Sequence, residues 1–136
     1  MSDTSKFSWA KYYQCPIVGI IRGMPDEVIT KLAEVYFESG FHTLEVTMNT
    51  KGAADVIAKL CRLYPDRNVG AGTVCTTEDL NHALQAGSKF IVTPTLDDEI
   101  IKSAVSSSIP IFPGAYTPTE IHRAWKLGAS AVKIFP

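Results

Sequence analysis

Three stretches, "SGFHTLEVT" (39–47), "AGSKFIVTP" (86–94) and "LGASAVKIFP" (127–136), share one layout. Each has a glycine suited to ending a helix, a short link, and then a run of strand formers. Superposing Gly40, Gly87 and Gly128 brings Glu45, Val92 and Lys133 to one offset, with Thr47, Pro94 and Phe135 two residues further on. Side chains alternate faces along a strand, so equivalent offsets in equivalent units face the same way. If one polar member faces an enclosed interior, so does the other. Glu45 and Lys133 are then expected to approach one another near the C-terminal ends of their strands.

Working outward from these units, short β-rich runs alternate with amphipathic helical stretches. "PIVGII" (16–21) reads as a buried strand, followed by a helix over 25–39 with Val28, Leu32, Val35 and Tyr36 on one face. "TLEVT" (43–47) precedes a helix carrying Val56, Ile57, Leu60 and Leu63. "VGAGTV" (69–74) precedes one with Leu80, Ala83 and Leu84. "FIVT" (90–93) leads to Ile100, Ile101, Ala104 and Val105, and "IPIF" (109–112) to Ile121, Ala124 and Trp125. "AVKIF" (131–135) is the last strand. Thr117-Pro118-Thr119-Glu120 has the form of a capping box with proline at the first helical position, and Thr76/Asp79 and Thr95/Asp98 look like looser versions.

Six strands and five helices in strict alternation predict a parallel sheet with helical crossovers. The short repeat fits a doubly wound sheet or a (β/α)₈ TIM barrel. Polar residues at several strand ends (Arg22, Glu45 with Thr47, Thr73, Lys133) favour the barrel, whose sites are built on that rim. Only about six of eight units are counted, so residues 1–136 are expected to form a single TIM-barrel domain that is incomplete at its C-terminal side, with two open sheet edges.

The 136 residues are 46% hydrophobic and 20% charged, with a formal net charge of −1. That composition suits one folded domain and lacks the basic stripe of a nucleic-acid or membrane-surface binder. Cys15, Cys61 and Cys75 form no CxxC pair. Together with the polar "MSDTSKFSWAKYYQ" start, they point to a reducing, cytoplasmic setting. His42, His82 and His122 show no metal-ligand spacing and read as surface residues.

Lys133 has two readings. On an edge strand it points to water; in a desolvated pocket it becomes an amine nucleophile towards carbonyls. Glu45 is either a structural ion-pair partner of Arg22 or Lys133, or the acid–base group that imine chemistry requires. Arg22 is either a surface ion-pair partner or a clamp for carboxylate or phosphate. "VGAGT" is a poor dinucleotide fingerprint. It fits close approach of backbone to a ligand, with Thr73 offering a hydroxyl, as well as it fits packing.

"PIVGIIRG", "TLEVTMNT", "VGAGTV", "FIVTP", "FPGAYTPTE" and "AVKIFP" together resemble the KDPG/KHG class I aldolases, in order and spacing, from about Pro16 to Pro136. The resemblance implies a Schiff-base lyase, a (β/α)₈ barrel and homotrimer needing no cofactor or metal. Its substrates would be 2-keto-3-deoxy-6-phosphogluconate or 4-hydroxy-2-oxoglutarate, cleaved to pyruvate plus glyceraldehyde 3-phosphate or glyoxylate. It implies Lys133 as the imine-forming lysine, Glu45 as the acid–base residue, Thr73 with Gly72 at the pyruvate carboxylate, and Arg22, Thr47, Asn49, Pro94 and Phe135 around the substrate. Some members carry arginine where this chain has Asn49, and the "MNT" form is also similar to the 6-phosphogalactonate branch. Members run on for about two more units bearing the phosphate-binding loops, so residues that anchor phosphate are expected beyond position 136. A catalytically impaired fragment, a barrel epimerase using Glu45 as base, and an inactive assembly module are the alternatives.

Overall fold

The computed structural model describes residues 6–136. Six parallel strands, β1 (Val18–Ile21), β2 (Thr43–Thr47), β3 (Asn68–Gly72), β4 (Ile91–Thr93), β5 (Ile111–Ala115) and β6 (Lys133–Ile134), pair in sequence order. Crossovers are made by α2 (Asp26–Glu38), α3 (Ala53–Leu63), α4 (Thr77–Gln85), α5 (Asp98–Ser106) and α6 (Pro118–Lys126), with a further helix, α1 (Trp9–Gln14), ahead of β1. The sheet curls, because residues of β1 and β6, at its two edges, line one cavity together with β2, β4 and β5. This is a six-strand half-barrel, the curled parallel sheet expected of the repeat; closure into eight strands is not seen among the described residues.

Period-2 alternation divides the sheet residues between two cores. Leu44, Val46, Val69, Ala71, Ile91 and Ile111 point outward and pack with Ile29, Ala33, Ile57, Leu60, Leu80, Ile100 and Ile101 of the helices. Burying each such aliphatic side chain contributes about 1.5–3 kcal/mol. Phe90, Val92 and Phe112 point into the curl, where Phe7, Trp9 and Tyr12 close its lower end edge-to-face. Asn68 anchors this plug: its amide donates to the Ser8 carbonyl (3.0 Å) and Thr43 Oγ1 (3.1 Å), and its Oδ1 accepts from the Ser8 amide (2.7 Å).

Several local expectations change. Helix α1 is not among the elements that the sequence pattern predicts. Its six residues give little intrinsic helicity, and it is held by the Ser8 N-cap and the aromatic packing. In α2 the stripe that meets the sheet is Ile29, Ala33 and Phe37; Val28, Leu32 and Val35 are exposed, the last by 60%. The helix carries two apolar stripes, and β1 lies at the sheet edge, so only one of them is covered. For the same reason "PIVGII" is not a buried strand: Ile17 and Ile20 are about half exposed. Leu63, Val105 and Trp125, expected to face inward, are also exposed. The capping boxes at Thr76 and Thr117 form fully, whereas α5 is capped by Asp97, which accepts from the Glu99 and Ile100 amides, and not by Thr95. No described helix is long and apolar enough to cross a membrane, and the three cysteines are free thiols.

Candidate active site

Lys133 opens β6 and Glu45 sits mid-way along β2, on the face that points into the curl. Both line a cavity of about 220 Å³ whose other walls are Tyr12, Val18, Ile20, Val92, Phe112, Ala131 and Val132. The offset shared with Val92 therefore does correspond to one interior layer. The walls are apolar, so the two titratable groups lie in a poorly solvated space. Glu45 is 2% exposed. Burial pushes its carboxyl up to about 7, against the opposing pull of Lys133 and then Arg22. Lys133 is only partly buried, its ammonium stands 4.8 Å from the Phe135 ring centroid, and it forms no ion pair with Glu45 within 4 Å. Across the cavity the pair supplies an amine and a carboxyl poised between its two protonation states at neutral pH, the condition under which a general acid–base group works best.

Above the cavity, Arg22 follows β1 at the C-terminal rim and donates to Thr73 Oγ1 at 3.2 Å. Thr73, directly after β3, has φ of 52°, a left-handed conformation that costs a β-branched residue about 1–2 kcal/mol. Such an outlier at a strand end is a structural pointer to function in its own right. Thr47 is fully buried and shares a hydrogen bond with Thr50 (3.1 Å), whose Oγ1 also accepts from the Gly23 amide (2.9 Å). Those contacts clamp the Arg22–Gly23 turn to the end of β2. Asn49 is exposed. Pro94 and Phe135 line a second hollow, of about 240 Å³, between the ends of β4, β5 and β6.

The two glycines of "VGAGT" are explained by neighbours in the fold. A Cβ at Gly70 would lie 2.4 Å from the Phe90 ring, and one at Gly72 would lie 2.1 Å from Glu45 Oε1. Both are therefore small because a large side chain of the interior lies against them. The sequence reading missed Tyr12, Val18, Ile20 and Phe112 as cavity walls. The alternation of β1 and β5 carries the signal for the last three, while Tyr12 depends on the docking of α1.

The family model described as KDPG and KHG aldolase matches residues 10–136. The chain is 36% identical over its whole length to 2-dehydro-3-deoxy-phosphogluconate aldolase of Haemophilus influenzae, covering 64% of that protein. It is 35% identical over 89% of its length to 2-dehydro-3-deoxy-6-phosphogalactonate aldolase of Escherichia coli, covering 60% of it. The chain thus spans a little under two thirds of these curated relatives. Among solved structures it superposes on native KDPGal with a TM-score of 0.88 at 30% identity, covering 96% of this chain and 62% of the other. It also superposes on the KDPG aldolase of Legionella pneumophila, captured with pyruvate as a covalent carbinolamine, with a TM-score of 0.85 at 31% identity, covering 93% and 62%. With the half-barrel and its lysine–carboxyl cavity, these matches place the chain in the KDPG and KHG aldolase family.

Proposed function

We propose that this chain carries the Schiff-base half of a class I aldolase. The observation that carries this reading is the shared apolar cavity of Lys133 and Glu45, with the carboxyl raised to about 7 by burial. The Lys133 amine adds to the C2 ketone of a 2-keto-3-deoxy sugar acid, and Glu45 moves the protons needed to expel water from the carbinolamine. As the C4 hydroxyl gives up its proton, to Glu45 directly or through a water, the iminium accepts the electron pair of the breaking C3–C4 bond and the aldehyde is released. The remaining enamine is protonated at C3, and hydrolysis frees pyruvate and the lysine. The iminium is itself the electron sink, so the steps call for no cofactor. Arg22 and Thr73 would border the end at which the pyruvate carboxylate sits. Pro94 and Phe135, which line the second hollow, would meet the distal part of the substrate. Thr47, buried against Thr50, would brace that rim without touching the ligand.

The substrates are 2-keto-3-deoxy-6-phosphogluconate, its galactonate stereoisomer or 4-hydroxy-2-oxoglutarate, in a cytoplasmic, soluble enzyme. Matches at 36% and 35% to gluconate and galactonate enzymes support both stereoisomers. The single domain belongs to a (β/α)₈ barrel completed by polypeptide equivalent to the portion of the relatives that this chain does not span. Supporting that are the open β1 edge, the exposed Val28–Leu32–Val35 stripe and an apolar groove of about 410 Å³ that includes Met24 and Phe41. The completed form would hold the phosphate anchor and assemble as a homotrimer.

The test is incubation with pyruvate followed by borohydride reduction and peptide mass spectrometry. A reduced pyruvate adduct on Lys133 is expected. A folded sample without one refutes the imine mechanism, and an adduct without cleavage of either phosphosugar assigns the chain to the impaired-fragment alternative.

A further inference from the structure

Glu45 pairs in register with Gly70, and Thr47 with Gly72. The Glu45 side chain nevertheless leans two residues along the strand direction and lies over Gly72. A Cβ built there would stand 2.1 Å from Oε1, 2.5 Å from Cδ and 3.1 Å from Oε2. Neither carboxylate oxygen has a hydrogen-bond partner among the described residues, while Thr47 beside it is engaged by Thr50. Shape, then, and not a polar partner, determines where this carboxyl rests.

We infer that Gly72 is a positioning residue, its bare Cα forming the slot that turns the Glu45 carboxyl into the cavity shared with Lys133. The inference rests on the aldolase reading above and deepens it: the family resemblance places Gly72 beside the pyruvate carboxylate, whereas this geometry places it beneath the acid–base group. Gly70 serves as the internal contrast, since its missing Cβ makes room for the Phe90 ring and backbone. Adding a methyl at 70 meets a packed aromatic core; adding one at 72 meets the far end of a side chain that can swing away. Gly72→Ala should thus leave the fold standing and move the carboxyl.

The experiment follows solvent-deuterium exchange into the pyruvate methyl group by NMR. That step needs the imine and the proton transfer but no phosphate site. Wild type, Gly72→Ala, Glu45→Asp and the double variant are compared, each with borohydride trapping on Lys133 and a thermal melt. Gly72→Ala is expected to trap pyruvate on Lys133 and to keep its pyruvate KM within about twofold, while the exchange kcat falls about 30–100-fold. Its pH profile should lose the wild-type inflection near neutrality. Glu45→Asp should cost much less when combined with Gly72→Ala than when made alone, since the shorter carboxyl no longer meets the new methyl. Should Gly72→Ala fail to fold, recovery of folding in the double variant supports the contact, and failure of both overturns it. A raised pyruvate KM with unchanged exchange kcat assigns Gly72 to ligand contact and overturns the proposal, as does exchange equal to wild type. A wild type that neither traps nor exchanges pyruvate overturns the aldolase reading itself.

Discussion

At the N-terminal ends of the strands, Lys89 is almost wholly buried and donates to the Pro65 carbonyl at 2.6 Å and the Arg67 carbonyl at 2.7 Å. At the C-terminal ends, Lys133 faces an apolar cavity, a phenyl ring and a buried carboxyl, and makes no hydrogen bond among the described residues. Both lysines belong to the same repeating unit, glycine then strand, and both sit where a charge is costly. The difference lies in what the backbone offers. Below the sheet, turn carbonyls converge on the Lys89 ammonium and fix it; above it, no carbonyl among the described residues holds Lys133 Nζ, as the proposed imine-forming role requires. Asn68 repeats the contrast: its side chain is engaged on both its oxygen and its nitrogen at the bottom, whereas Glu45 and Lys133 face the cavity at the top. Ser88 Oγ, buried beside Lys89 without a partner among the described residues, is the exception at the lower end.

Exchanging each lysine for methionine is the sharpest way to break this comparison. Lys133→Met should abolish pyruvate trapping and lower any turnover by about 10⁴-fold or more, because the covalent route is lost outright, while the melting temperature changes little. Borohydride trapping and calorimetry on one preparation check both halves. Substantial residual imine formation in Lys133→Met would assign the nucleophile elsewhere.

Glu45→Gln probes the other partner. Proton transfer should slow by about 10²–10⁴-fold. Stability should move the opposite way, with a sign that follows from the raised carboxyl. Folded Glu45 holds its proton up to about 7, against 4.5 for the ordinary side chain, so between those values the native state binds more protons than the unfolded one. Stability then falls as pH rises through that window and levels off above it. Glutamine removes this dependence. The variant should equal wild type below about pH 4.5 and exceed it by up to about 3 kcal/mol above pH 7. Urea midpoints across pH read this, and identical pH dependence in both proteins would sink the account.

Lys89→Met should do the reverse of Lys133→Met. Removing a buried donor leaves the Pro65 and Arg67 carbonyls short of a partner, a loss of about 2–3 kcal/mol. Trapping on Lys133 should be untouched once the protein is folded. Denaturant titration paired with the borohydride assay separates the two.

Much of this contrast was legible in the sequence, since strand alternation and a common glycine place Glu45 and Lys133 on one face whatever surrounds them. The caps at Thr76 and Thr117 were legible for a similar reason, because both partners lie within one turn. What escaped depends on contacts distant in the chain. Helix α1 forms around Asn68 and Phe90, some 60 and more residues away, and its own six residues say little. In α2, Val28–Leu32–Val35 and Ile29–Ala33–Phe37 are equally good apolar stripes, and only the position of β1 at a sheet edge decides between them. Gly72 could be read as ligand approach or as packing until the lean of Glu45 over it was visible.

The upper rim is not uniformly unsatisfied, since Thr93 Oγ1 donates to the Thr95 carbonyl, and the Thr47–Thr50 pair provides the gentlest test. Thr50 is buried, accepts from the Gly23 amide and shares a hydrogen bond with Thr47, so by the logic of the lower end it should act on stability and hardly on chemistry. Thr50→Val keeps the shape and removes the hydroxyl, leaving the buried Thr47 hydroxyl without that partner and releasing the Gly23 amide, which is exposed and can turn to water, at a cost of about 1 kcal/mol. Arg22 is tied to this turn through the chain, so a small rise in pyruvate KM, under about fivefold, should accompany the loss, with the exchange kcat held. A collapse of kcat in Thr50→Val would place Thr47 and Thr50 with Glu45 and Lys133, and would move the boundary between satisfied and reactive polar groups up to the very ends of the strands.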